Sequence, residues 1–175
     1  MKHPNHYHWQ KTSKFCVPYA FTHAIEQICK EQFPEYEPHL SPKTVVWKGL
    51  NAMGIVRFVS RSMSVSDLQK GVTESKPLFV ALRKNKETKV AKINHFKLIR
   101  EDFESLGRIR SLLDKGPVLV TLWSAHKVCI VEATKDGFMV VDSQRIKPEL
   151  EEMPNRWIEN NVTEVEVVMP EIEVE

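Results

Sequence analysis

Cysteine is scarce. There are three, Cys16, Cys29 and Cys129, odd in number and widely spaced along 175 residues. That excludes a disulfide framework. No Cys-x-x-Cys pair occurs, so a thiolate zinc site is not expected. No apolar run approaches ~18 residues, so no membrane span is expected. The opening MKHPNHYHWQ has no apolar stretch after its positive charge and does not read as a secretory signal. Six glycines and ten prolines are too few for a collagen-like or linker-like chain. No repeat recurs at a fixed period. The net charge of +2 gives no reason to expect nucleic acid as a partner.

What is present describes a globular chain. Hydrophobic residues make up 42% and charged residues 27%, enough to bury one core. The expectation is a single domain over 1–175, with residues 1–75 mainly helical and 76–175 mainly strand. Thiols that are not staples fit a reducing compartment, so the expected location is cytoplasmic, with non-classical export as an effector left open. Charge is unevenly spread. Residues 76–100 carry eight Lys or Arg against Glu87, and residues 149–175 carry nine Glu against Arg156. This reads either as a basic docking surface for an acidic partner or as a solvated hairpin facing an acidic tail.

Helical spacing of Val17, Ala20, Phe21, Ala24, Ile25, Ile28, Cys29 and Phe33 predicts a long helix from Cys16 to Phe33. Pro18 falls in its first turn, Thr12 and Ser13 are candidate cap or turn residues, and Pro34 ends it. A second helix is expected from Ser41-Pro42 to Gly54, and a short one over Ser66–Val72 with Ser64 or Ser66 as cap. Leu78–Leu82 and Ile93–Ile99 read as strands joined by the basic turn RKNKET, and Glu101–Lys115 as a helix closed by Gly116-Pro117. Val118–Trp123, His126–Ala133 and Phe138–Asp142 read as strands, the last pair around the turn Lys135-Asp136-Gly137. Val162–Met169 adds a further strand. Helices first and strands afterwards predict an α+β fold, a mostly antiparallel sheet or barrel packed against an N-terminal helical layer with a long central helix. Trp9, Trp47, Trp123 and Trp157 are expected in cores or at cleft edges.

Chemistry concentrates at the start of the long helix. Unpaired N–H groups and the helix dipole stabilise a thiolate there, so Cys16 is the candidate nucleophile. A thiolate nucleophile needs a group that accepts and returns a proton. His23 lies seven residues along the same helix, about 10 Å away, and cannot pair with Cys16 directly. His126 opens a strand at a rim, and Asp142 lies near the end of the returning hairpin, where a carboxylate orients the imidazole. Gln10, six residues before Cys16, can offer its amide as an oxyanion donor. Bland readings stand beside these: Cys16 as a buried structural thiol, His126 as an ordinary hydrogen-bonded histidine, Asp142 as a turn acid, Gln10 as a surface residue. Cys29 and Cys129 read as core. His3, His6 and His8 lie on a terminal segment and are poor metal ligands, so no metal or other cofactor is expected.

This ordered set resembles the papain-like cysteine peptidases. The stretch Gln10-Lys-Thr-Ser-Lys-Phe-Cys16-Val-Pro-Tyr-Ala20-Phe21 is similar to that family's Gln, nucleophilic Cys and following aromatic-Ala-Phe. Glu26, Leu40-Ser41-Pro42, Gly116-Pro117-Val118, His126-Lys-Val-Cys-Ile-Val and Val140-Val141-Asp142-Ser143 follow in the family's order. Asp142 stands where the family has Asn, Gln144 where it has Trp, and the Cys-to-His interval is shorter than the family's ~130–150 residues. The resemblance implies a papain-like fold and a thiol hydrolase of peptide or protein amides, with Cys16 as nucleophile, His126 as base and acid, Gln10 as oxyanion donor and Asp142 as orienter. The same groups would serve a protein deamidase or a transglutaminase-like acyltransferase. A catalytically silent papain-like binding module is the third reading.

Overall fold

The computed structural model describes residues 2–54, 62–74 and 77–174. Among them are five α-helices and eight strands, all in one antiparallel sheet, so the chain is α+β. Helix α1 is Cys16–Gln32, β1 is Glu37–His39, α2 is Pro42–Met53, α3 is Val65–Glu74, β2 is Leu78–Lys84 and β3 is Glu87–Asp102. The second half continues with α4, Leu106–Leu113; β4, Val118–Leu122; β5, His126–Ala133; β6, Gly137–Val141; β7, Leu150–Pro154; α5, Asn155–Asn161; and β8, Val162–Val174. The boundary read at 75/76, and Lys76 of the basic stretch, lie outside the described residues.

The strand order is β1-β2-β3-β8-β4-β5-β6-β7. Among the described residues no pairing joins β7 back to β1, so the sheet is open and not a barrel. The last strand sits in the middle, between β3 and β4. Alternation along the strands then covers both faces. Leu119, Cys129, Val131, Val141 and Val168 point to the face packed by α1, α2 and α3. Val118, Val120, Val128, Ile130, Val165 and Val167 point to the other face, under α4 and α5. The single helical layer expected from the sequence is therefore two, one on each face.

The basic and acidic stretches meet inside this sheet. Most of β8 lies antiparallel beside β3, with Arg100 opposite Glu166 and Lys92 opposite Glu173. Arg100 reaches Glu164 at 2.9 Å and His95 reaches Glu171 at 2.6 Å. Much of the charge asymmetry is thus consumed by neighbouring strands.

Several local readings need correction. Of the two roles read for Thr12 and Ser13, the turn is the one observed: they lead into a 3-10 turn, Ser13–Phe15, and Phe15 holds the N-cap position of α1. Ser64 does cap α3. It accepts from the Asp67 N–H while its own N–H donates to Asp67, at 3.2 and 2.8 Å, a reciprocal box. Strand β3 runs on to Asp102, so α4 starts five residues later than expected, behind Ser105, whose side chain accepts from the Arg108 N–H. Trp9 and Trp47 are exposed, whereas Trp123, also exposed at 59%, lines a cavity together with Trp157. Gly137 opens β6 because a Cβ there would sit 2.0 Å from the Met153 carbonyl oxygen of β7.

No described helix is long and apolar enough to cross a membrane. All three cysteines are free.

Candidate functional site

Helix α1 is buried nearly all round. Phe21, Ala24, Ile25 and Cys29 pack into the core, and Phe21 meets Phe96 at 5.1 Å between ring centres. Yet Thr22, His23, Glu26 and Gln27 are buried too. Buried polar groups need partners: the Thr22 hydroxyl donates to the Pro18 carbonyl at 2.7 Å, and the N-terminal strap, residues 2–10, supplies partners for His23, Glu26 and Gln27. His3 Nδ1 bonds Gln27 Oε1 at 3.0 Å, His8 Nε2 bonds Glu26 Oε1 at 2.8 Å, and the His8 N–H donates to His23 Nε2 at 2.9 Å. The strap thus lies along the polar stripe of α1 and delivers Gln10 close to the start of the helix.

Cys16 is the first residue of α1, where backbone N–H groups lack intrahelical partners. Pro18 costs no hydrogen bond there. His126 is the first residue of β5, behind a tight turn in which Trp123 and Ser124 take left-handed φ of 53° and 59°. Asp142 follows the last residue of β6. Antiparallel pairing of β5 and β6, with Cys129 opposite Val141, brings both to one end of the hairpin. His126 Nε2 and Asp142 Oδ1 are 2.8 Å apart, and Asp142 Oδ1 also accepts from the Gln144 N–H at 2.9 Å. With Nε2 engaged, the other ring nitrogen is left for the sulfur. Cys16 and His126 line one cavity of about 390 Å³.

Electrostatics sets this thiol apart. Burial pushes Cys16 up, but the His126 ring as donor and positive charge, the Lys127 backbone N–H and the Lys127 charge together hold it below the usual thiol value. Burial pushes His126 down, and it is outweighed by Asp142 and then Cys16, which raise it to about 9. Asp142 is held below the usual carboxylate value: its burial is overcome by His126, the Gln144 N–H and Arg145. All three shifts favour the charged forms, a thiolate beside an imidazolium beside a carboxylate. Cys29 goes the other way, pushed up to about 12 by burial and by Glu26, and burial pushes Cys129 up as well.

Three of the four residues singled out in the sequence meet here. The fourth, Gln10, is 3% exposed and tied to the segment after Asp142. Its backbone N–H donates to the Ser143 carbonyl at 2.9 Å, and its Oε1 accepts from the Ser143 hydroxyl. Its Nε2 donates to the Thr12 carbonyl at 2.6 Å. One of the two amide hydrogens is therefore committed and one is left to donate. Gln10 is not a surface residue.

Sequence reasoning missed the cavity's charged floor. Lys127, next to His126, is buried and paired with Glu166, with Glu164 3.8 Å away and Arg100 against Glu164. Thr121 also lines the cavity, and its buried hydroxyl has no partner among the described residues. The signal was the alternation of Glu164 and Glu166 with Val165 and Val167, but only the β3–β8–β4–β5 register brings those carboxylates to Arg100 and Lys127.

Comparison with protein-family models, curated proteins and solved structures finds no match to this chain.

Proposed function

We propose that the protein is a papain-like thiol hydrolase that cleaves peptide or protein amides through an acyl-enzyme. One observation carries this reading: of three buried thiols, only Cys16 is held low, and it is the one at a helix start, beside an imidazole that a carboxylate orients, on an open cavity. The sulfur anion attacks the amide carbon and His126 passes its proton to the leaving amine. His126 then takes a proton from water, the resulting hydroxide attacks the thioester, and the acid leaves. Asp142 keeps the ring oriented and charged. The free hydrogen on Gln10 Nε2 and the N–H groups at the start of α1 would stabilise the oxyanion. The chain would act in a reducing, cytoplasmic setting, where a low thiol stays usable.

The polar floor favours a second substrate class on the same groups. Lys127, Glu164, Glu166, Arg100 and Thr121 offer hydrogen bonds rather than an apolar slot. That suits a glutamine carboxamide, and so a deamidase or acyltransferase. Turnover assayed on peptides and on glutamine-bearing proteins separates the two: new amino termini mark peptidase action, and ammonia without chain cleavage marks deamidation. Absence of both, with slow and equal alkylation of all three thiols, would make the chain a silent binding module.

A further inference from the structure

The polar stripe of α1 carries a second cluster, away from the thiol. His8 on the strap, Glu26 on α1 and His39 on β1 bring three ligand atoms within 4.8 Å of one another. Glu26 lies ten residues along α1 from Cys16, roughly 15 Å at the helical rise. We infer that His8, Glu26 and His39 form a site for a divalent transition-metal ion of the zinc type, which clamps the strap to α1 and β1.

The donor set carries the argument. Two imidazoles and one carboxylate are what zinc takes, with water in a fourth position. Bonds of about 2.0–2.1 Å put tetrahedral ligands roughly 3.4 Å apart. His8 Nε2 and Glu26 Oε1 are 2.8 Å apart, so this pair opens by roughly 0.6 Å as the ion replaces the proton they share, and His39 turns inward from within 4.8 Å. The three residues come from three separate segments, which local chain geometry alone would not bring together. Their surroundings hold them in place. The Glu26 carboxylate is 2% exposed, and its other oxygen accepts from the Leu40 N–H at 2.9 Å, which leaves Oε1 aimed at the cluster. The His8 ring stacks on His23 at 5.7 Å and lies 5.6 Å from the His39 ring. The His39 side chain is exposed and makes no hydrogen bond among the described residues, which leaves it able to turn and gives an ion a path from solvent. The terminal histidines His3 and His6 do not take part: His3 is spent on Gln27 and Glu132.

The test uses the full chain carrying Cys16→Ala, so that sulfur cannot capture the ion. Chelator-stripped protein is titrated with Co2+, followed by visible absorption, and then with Zn2+. One equivalent of Co2+ should bind with a tetrahedral nitrogen–oxygen spectrum, and Zn2+ should displace it and raise the melting temperature. His39→Ala, at an exposed position, should weaken Zn2+ binding at least roughly tenfold and remove the rise, while melting as the parent does without metal. His6→Ala, also at an exposed position, should alter neither. No saturable binding, binding that survives both His8→Ala and His39→Ala, or binding lost in His6→Ala would overturn the inference. None of these readouts depends on turnover.

Discussion

The two polar clusters along α1 are built from the same kinds of side chain and behave oppositely. At its start, Cys16 and His126 border a cavity, and charges from Asp142 and Lys127 favour the ionised forms. Two turns further on, His23 is wholly enclosed by the strap and helix. Burial, aided by His8, pushes it down to about 3 and keeps it neutral. Both rings are hydrogen-bonded. What differs is the partner. A carboxylate at 2.8 Å outweighs the cost of burying His126, whereas a backbone N–H gives His23 no reason to carry charge. The same contrast separates the thiols, since Cys29 on the same helix has only Glu26 and apolar neighbours to respond to. Burial alone therefore does not favour the charged form of a group. An opposite charge at contact distance does.

The largest expected effect comes from removing the sulfur. Cys16→Ala should abolish turnover while far-UV circular dichroism and melting stay close to the parent, and retained turnover would remove the proposed mechanism outright. His126→Ala should cost about 10²–10⁴-fold in kcat. Alkylation breaks the comparison more directly. Iodoacetamide at about pH 6 should modify Cys16 and leave Cys29 and Cys129 intact in the folded protein, read by peptide mass mapping. Equal labelling of the three would mean that the charges around Cys16 do not hold a thiolate.

An intermediate effect is expected on pH dependence. The working form needs imidazolium beside thiolate. Turnover should therefore fall as pH rises through about 9, where His126 loses its proton. Asp142→Asn removes the charge that raises His126, so this alkaline limb should move to lower pH. Stability carries the same sign. A histidine whose folded value lies above its unfolded 6.5 contributes fully below 6.5, and the contribution, on the order of 3 kcal/mol, disappears as pH climbs towards 9. Asp142 has the opposite sense: its contribution is present above the unfolded 3.8 and is lost as pH falls through its depressed folded value. Urea unfolding between pH 3 and pH 10 should then show both losses in the parent. An alkaline limb unchanged in Asp142→Asn would contradict the pairing.

Much of the architecture was legible because hydrophobic period reports burial directly. The 3.6-residue spacing from Val17 to Cys29 and the hairpin around Gly137 gave α1 and β5–β6 within a residue or two. The candidate pair came from local rules alone, a thiol at a helix start and a histidine opening a strand. What stayed hidden depends on long-range register. Strands β1 and β7 read Glu-Pro-His and Leu-Glu-Glu-Met-Pro, edge strands with no apolar alternation to report. Helix α5 has only seven residues. The polar face of α1 is buried by the strap, so the readings of His8 as a poor ligand on a terminal segment and of Glu26 as a family position both missed their contact. The charged floor stayed hidden for the same reason, because Glu166 and Lys127 are 39 residues apart.

The smallest effect sharpens the comparison at the join between strap and hairpin. Gln10 ends the segment that covers His23, and Ser143 follows Asp142 at the Cys16 end. Their bonds tie one region to the other. Ser143→Ala deletes the hydroxyl that donates to Gln10 Oε1 and keeps the backbone bond from the Gln10 N–H to the Ser143 carbonyl. Net loss of one such hydrogen bond is about 0.5–1.5 kcal/mol. If the amide serves the oxyanion, that loss should appear in kcat, about two- to twelvefold, with KM nearly unchanged, because the interaction strengthens only in the transition state. If Gln10 merely fastens the strap, the same energy should appear in urea unfolding and leave kcat alone. The split between kcat and unfolding free energy thus decides whether the strap is part of the chemistry or only its cover.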